Sequence, residues 1–159
     1  MIYIKNYLFI FFCFLNFLLL SQEKINILES YIKEKSVNNI SSLVLPIENL
    51  ENALNIYLED DTGIFNEDEN TFELINRNFD FRNINYSQEK YHQFSFLSSK
   101  REWKKQRFSE PIISINGDYA IFYTEEKCRK GLCGGGSLIL MEKNFNIWIV
   151  KRILYAWIG

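Results

Sequence analysis

A single histidine and three cysteines are all the His and Cys that this 159-residue chain carries, and one of the cysteines, Cys13, lies within the apolar N-terminal stretch. A structural zinc site wants four ligands and only Cys128, Cys133 and the distant His92 remain, so zinc is not expected, nor is any other metal or cofactor. His92 has no second His or Cys beside it, so the paired-histidine metalloprotease pattern does not occur. The G-x-S-x-G nucleophile turn is absent too, and His92 reads as a structural or surface residue. Excess positive charge is also missing. With 18 Lys plus Arg against 20 Asp plus Glu, the chain is not a generally basic nucleic-acid binder, and no nucleic-acid partner is expected. The third absence is a long apolar run. Lys5 precedes Tyr7 to Leu20, a stretch interrupted only by Asn16, which is short for a bilayer-spanning helix but right for the apolar part of a secretory signal.

What is present begins with that signal. Ser21 follows the apolar run directly, and cleavage after Ser21 or Gln22 divides the chain into a signal peptide, 1–21, and one exported domain, 22–159. The expected location is secreted or periplasmic. If the segment stayed uncleaved it would be an N-terminal anchor, the one contact with a membrane that the sequence suggests. No Cys follows the run, so a lipoprotein anchor is not expected there, and Cys13 leaves with the signal. Cys128 and Cys133 remain, and in an oxidising compartment two thiols so close are expected to pair. A redox-catalytic pair needs C-x-x-C at a helix start, whereas here four residues intervene in a Gly-rich loop.

With 47% hydrophobic and 16% aromatic residues the chain has ample material for a core. Ile25, Leu28 and Ile32 are spaced as one face of a short helix that packs on a sheet. Pro46 starts a second, with Ile47, Leu50, Leu54, Tyr57 and Leu58 on its apolar side, although Leu54, Ile56 and Leu58 also alternate as a strand would. Asn70 with Glu73 resembles a capping box ahead of Phe72, Ile75 and Phe79. Tyr91, Phe94, Phe96, Trp103 and Phe108 read as one or two helical stretches between Ser87 and Phe108. The last fifty residues read as strands: Ile112 to Ile115 and Tyr119 to Thr124 about an Asn116-Gly117 turn, Ser137 to Glu142, and Ile147 to Leu154 after a turn at Asn144 to Asn146. Trp148 and Val150 fall on one face of the last strand and Ile147 and Ile149 on the other, so both sheet faces should be covered in part. The expected class is α+β: short N-terminal and central helices on a C-terminal antiparallel meander of about four strands, an architecture of the cystatin-like or NTF2-like kind.

Three stretches are candidates for function. The loop Arg129, Lys130, Gly131, Leu132, Gly134, Gly135 and Gly136, closed by Cys128 and Cys133, is a candidate recognition surface, with its glycines giving freedom for a tight turn. Gly131 to Ser137 has the glycine spacing of a phosphate loop but lacks its Lys and is followed by a strand, which rules out nucleotide binding there. Lys100, Arg101, Lys104, Lys105 and Arg107 surround Trp103 as an anion patch or, more simply, as the solvated face of a helix. The acidic run from Glu59 to Glu69 lacks the ligand spacing of a calcium loop and reads as solvated.

Ser109 to Pro111, Tyr119-Ala120, the Cys128 to Gly136 loop, Lys143 to Trp148 and Trp157-Ile158 together resemble the C-terminal ends of small uncharacterised exported bacterial proteins. The Cys pair is one residue wider here, and Asn146 stands where Gly is usual. The resemblance implies an exported α+β domain with no known activity. Two functions follow as expectations. One is a non-enzymatic domain that binds an envelope or extracellular component through the loop. The other is a small exported hydrolase or other enzyme with a pocket between helices and sheet, using acids and His92.

Overall fold

The computed structural model describes residues 2–37, 40, 45–59, 69–81, 104–128 and 134–158. Helices α1 (Ile2–Glu34), α2 (Ile47–Leu58) and α3 (Glu69–Asn78) precede strands β1 (Lys104–Phe108), β2 (Ile112–Ile113), β3 (Tyr119–Cys128), β4 (Gly134–Asn144) and β5 (Ile147–Ile158). The class is α+β, with the antiparallel sheet in the C-terminal half, as the sequence predicts.

The sheet runs β1-β3-β4-β5, and β2 pairs with the remaining part of β3 beside β1. β1 and β2 are therefore one edge with a break in it, Phe108 lying opposite Thr124 and Ile112 opposite Ile121. The Ser109-x-Pro111 motif makes that break. Ser109 is buried, donates its N–H to Tyr123 O (2.8 Å) and accepts the Tyr123 N–H on its Oγ (2.9 Å), so its hydroxyl replaces a ladder carbonyl. Pro111 brings no N–H that would need a partner at the buried step.

Apolar periodicity decides how each face is covered. In α2, Leu50, Ala53, Leu54 and Tyr57 form the buried stripe, and with Ile75 and Phe79 they pack on Ile121, Tyr123, Leu138, Leu140 and Leu154. The helical reading of this segment is the right one; Pro46 is its N-cap and Glu59 closes it by donating to Asn55 O (2.8 Å). On the opposite face Ile27, Leu28 and Tyr31 of α1 pack on Phe108, Ala120, Phe122, Ile139, Met141 and Trp148. The Tyr31 ring meets Phe122 and Phe108 edge-on, with centroids 5.1 and 5.9 Å apart. Both faces are thus covered, although Ile147 and Ile149 of β5 remain exposed.

The helix predicted over Ile25 to Ile32 is the C-terminal part of α1, which runs unbroken from Ile2. It stops because Ser36 turns left-handed (φ 53°): Val37 donates to Ile32 O (3.0 Å) and Ser36 to Lys33 O (3.3 Å), while Val37 and Ile32 pack on the same core. Among the described residues no helix is long and apolar enough to cross a membrane.

Several sequence expectations are corrected. Lys104, Lys105, Gln106, Arg107 and Phe108 form strand β1, not the end of a helix, because β3 extends to Cys128 and offers them a complete pairing edge. β3 and β4 are longer than expected at this end for the same reason, with Glu125, Glu126 and Lys127 paired to Gly136, Gly135 and Gly134. Asn70 lies inside α3, and Glu73 pairs with Arg77 one turn on (2.6 Å) instead of closing a capping box. Among the described residues Gly117 (φ 78°) is the one glycine with positive φ, so at the Asn116-Gly117 turn only the glycine is left-handed; Asn116 acts through its side chain, accepting from Ser114 Oγ (2.6 Å). The β4–β5 turn does use two left-handed residues, Phe145 (φ 47°) and Asn146 (φ 65°), as a two-residue hairpin of the I′ kind requires. Residues 38–39, 41–44, 60–68, 82–103 and 129–133, which include His92, Trp103 and most of the acidic run, lie outside the described residues.

Candidate functional site

Strand pairing brings two of the sequence-predicted stretches to one end of the sheet. β4 follows β3 until Lys127 lies opposite Gly134, and on the other side of β3 the register sets Lys104 opposite Cys128, Lys105 opposite Lys127 and Arg107 opposite Glu125. The described parts of the cysteine loop (Cys128, Gly134, Gly135, Gly136) and of the anion patch (Lys104, Lys105, Arg107) are therefore neighbours. Arg129, Lys130, Gly131, Leu132 and Cys133 of the loop, and Lys100 and Arg101 of the patch, lie outside the described residues.

The three glycines are strand residues, not a turn, and their role is close approach. Trp157 Nε1 donates to Tyr123 Oη (2.7 Å) directly across the position where a Gly136 side chain would stand. A Cβ at Gly136 would overlap both of those atoms, and one at Gly135 would come within 2.9 Å of Trp157 O. The bond joins β3 to β5 over β4, so it clamps three strands at the end that carries the loop. Burial pushes the Tyr123 hydroxyl up from the ordinary tyrosine range; the Trp157 hydrogen bond opposes this, and the Glu125 charge adds to it. The hydroxyl is consequently a neutral acceptor at physiological pH.

Beside this clamp Arg107 donates through Nη2 to Glu125 Oε2 (2.8 Å), both side chains being mostly buried. Arg107 Nε is buried with no hydrogen-bond partner among the described residues. On the other face of β1, Gln106 Nε2 donates to Thr124 Oγ1 (2.8 Å) and so fixes the strand against β3. The result is a rigid sheet end with cationic positions on one side and a half-exposed indole on the other, a surface suited to binding. Among the described residues no cluster of three or more His, Cys, Asp or Glu could hold a metal ion. Sequence reasoning missed Tyr123, Glu125, Lys127 and Trp157 here. The one available signal was Gly136 just ahead of the apolar run Leu138 to Met141, since glycine in a strand marks a place where something approaches closely.

At the opposite end of the sheet, charges fix α1. Glu23 Oε1 accepts from Trp148 Nε1 and from Lys143 Nζ, both at 2.8 Å, and Lys24 pairs with Glu110. Burial pushes the Glu23 carboxyl up, but the hydrogen bonds from Lys143 and Trp148 and the Lys143 charge outweigh it, so the group titrates below the ordinary glutamate range. A depressed carboxylate stabilises the fold fully above its unfolded pKa, and that share is lost as pH falls through the folded value. Glu23→Gln is therefore expected to lower Tm at pH 7, with the gap to the wild type constant down to about pH 4.5 and closing below it. Thermal melts from pH 7 to pH 3 measure this; a gap that widens in acid would contradict it.

Comparison of the chain with protein-family models, with curated proteins and with solved structures finds no match.

Proposed function

We propose that this is an exported, non-enzymatic binding domain that takes an envelope or extracellular component at the cysteine-loop end of its sheet. The observation that carries this reading is the convergence of the described ends of the loop, strand β1 and the Tyr123–Trp157 clamp on one sheet end. A surface of this kind, built on loops held by a fixed scaffold, is where recognition concentrates.

Two further features support it. The register sets Lys127 opposite Gly134, so the strands that flank the cysteine loop are paired up to its ends. In an oxidising compartment the two cysteines of so short a loop pair as a disulfide. Such a bond closes a loop too short to add more than about 2 kcal/mol, and its value lies in holding the recognition loop in one shape. The N-terminal boundary fits export. Leu15, Leu18, Leu19 and Leu20 of α1 are exposed, whereas among the described residues Glu23 is the first with a side-chain bond to the sheet, so cleavage after Ser21 or Gln22 would remove apolar surface and keep that anchoring residue. The resemblance of the C-terminal stretch to exported bacterial proteins points the same way.

The test is recovery of the full-length gene product from the periplasm or medium of a bacterial host, followed by N-terminal sequencing and thiol alkylation. A chain starting at Gln22 or Glu23 with no alkylatable thiol until reduction is expected. A retained N-terminus, or two alkylatable cysteines, would overturn the exported, disulfide-closed reading. Binding of the mature protein to purified envelope polysaccharides should fall when Cys128→Ser and Cys133→Ser are combined, and unchanged binding would remove the loop from the site.

A further inference from the structure

We propose that the sheet end formed by the β4–β5 turn and the neighbouring 114–118 turn is a membrane-contact surface, with Phe145 and Ile147 entering the headgroup boundary of a lipid bilayer. This is the end opposite the cysteine loop. The choice of lipid as partner rests on the export reading, under which Tyr7 to Leu20 enters a membrane.

Phe145 is the starting point. It holds the first central position of the two-residue β4–β5 turn at φ 47°, a left-handed backbone that suits Asn, Asp or Gly and disfavours a bulky side chain. The ring recovers little of that cost within the fold, because the residue is 96% exposed. A strained position given to so exposed an aromatic points to a contact outside the chain.

The ring has apolar company. Ile147, which closes the turn opposite Asn144, is 64% exposed, and Ile115 in the 114–118 turn is 77% exposed. Lys143 donates its backbone N–H to Asp118 O (2.7 Å), which sets the two turns side by side, and Ile115 donates its own to Asn78 O (2.9 Å) at the end of α3. Three large apolar side chains therefore lie exposed at one braced end of the sheet, among the exposed amides of Asn116, Asn144 and Asn146. Scattered apolar residues need no explanation, but such a group marks a contact surface.

The N-terminal helix supplies the partner. Glu23 is bonded to Lys143 and Trp148, which lie opposite each other at the base of the same turn. At about 1.5 Å of rise per residue, the exposed Leu20 is only about 5 Å further along α1. The stretch that export carries into a membrane thus enters the fold beside the turn that bears Phe145, and a bilayer that receives the one lies close to the other. Charge agrees with this. Stretches 114–118 and 144–147 contain no Lys or Arg and one acid, Asp118, so the surface suits apolar insertion and not adsorption onto anionic lipid. β4 is eleven residues long, and at about 3.3 Å per residue it holds the cysteine-loop end about 30 Å from the lipid.

The experiment reads position 145 directly. Phe145→Trp adds an indole at the tip, and its emission in excess of the wild type should be quenched by vesicles of brominated phosphatidylcholine and shielded by them from acrylamide. Phe145→Asn, which gives the turn a residue it favours, should hold or raise Tm while lowering partition into phosphatidylcholine vesicles at least about tenfold, the equivalent of one buried phenyl ring. Ile147→Thr should lower partition too. Ile158→Thr removes a side chain 94% exposed at the other end of β5 and should leave partition unchanged. In a protein that keeps its N-terminus that segment dominates partition, and quenching at position 145 alone decides. Absence of that quenching overturns the inference. So does an equal loss of partition in Ile158→Thr, or a requirement for phosphatidylglycerol that salt removes. Self-association without lipid that Phe145→Asn abolishes would make this end an interface between copies and would also overturn it. A chain that stays in the cytoplasm fails the export reading alone, because quenching at position 145 is measured on purified protein from either compartment.

Discussion

Trp148→Ala is expected to cost about 3 to 5 kcal/mol of folding stability, the range for removing a large buried aromatic side chain. Trp148 is 3% exposed and packs in the core that α1 shares with Phe122, Ile139 and Met141. Its loss removes more than packing. The indole N–H is one of two donors to Glu23, and Lys143 Nζ lies 5.6 Å from the ring centroid, so truncation also exposes the contact that holds the start of the docked helix. Trp148→Phe separates these contributions by keeping most of the ring volume; about 1 to 2 kcal/mol is expected from the lost charge-assisted hydrogen bond and residual space. Urea unfolding with a constant m-value provides the measurement, and a loss below about 1 kcal/mol for the alanine variant would show that α1 does not seal this face.

Such a core was legible in the sequence to the extent that local pattern and tertiary packing agree. Trp148 and Val150 share a face of β5 by simple alternation, and both lie on the side that α1 covers. Leu50, Leu54 and Tyr57 show a helical stripe that survives competition with the alternating reading because Ala53 fills the fourth position of the buried face. The failures are equally specific. The segment Lys104 to Phe108 has little local preference for a strand, and it becomes one only because the long β3 presents an open ladder to it. A pairing partner twenty residues away is not written in a five-residue window. The same is true of the candidate site. Cysteine loop and basic segment were each visible as composition, but their adjacency is a property of register, as is the opposition of Lys105 and Lys127.

The β5 edge illustrates a second limit of alternation. Between Val150, opposite Met141, and Arg152, opposite Leu140, Lys151 is an extra residue, and Leu154 is another between Ile153 and Tyr155. Each shift changes which residues face which side, so Leu154 is buried under α2 and α3 even though strict alternation from Trp148 would put it on the α1 face. The bulges also protect an open edge. Val150 donates its N–H to Glu34 Oε2 (2.9 Å), and Lys151 extends to Glu142 (3.0 Å), so part of the outer ladder is closed to a neighbouring strand.

Gly136→Ala tests the part of the site where backbone, core and function meet, and it is expected to destabilise the protein by about 2 to 4 kcal/mol. Opposing terms decide the sign. Alanine in place of glycine in a strand gains about 0.5 to 1 kcal/mol by restricting the unfolded chain. Against that gain, the new methyl overlaps Tyr123 Oη and Trp157 Nε1, so the clamp must open. Displacing packed rings costs about 1 to 3 kcal/mol, and leaving the buried tyrosine hydroxyl without its donor costs about as much again. Tyr123→Phe removes the nearest overlapping atom, so the alanine should cost at least about 1 kcal/mol less in that background, a coupling that a double-mutant cycle reads directly. The neighbouring glycines provide an internal scale. A Cβ at Gly134 meets only Glu126 O at 3.2 Å, whereas at Gly135 it meets Trp157 O, a backbone atom that cannot swing away, at 2.9 Å. Gly134→Ala should therefore cost least of the three, with Gly135→Ala and Gly136→Ala clearly destabilising. A flat series across the three positions would mean that Trp157 does not close over β4, and the rigid sheet end to which the proposed binding is assigned would lose its physical basis.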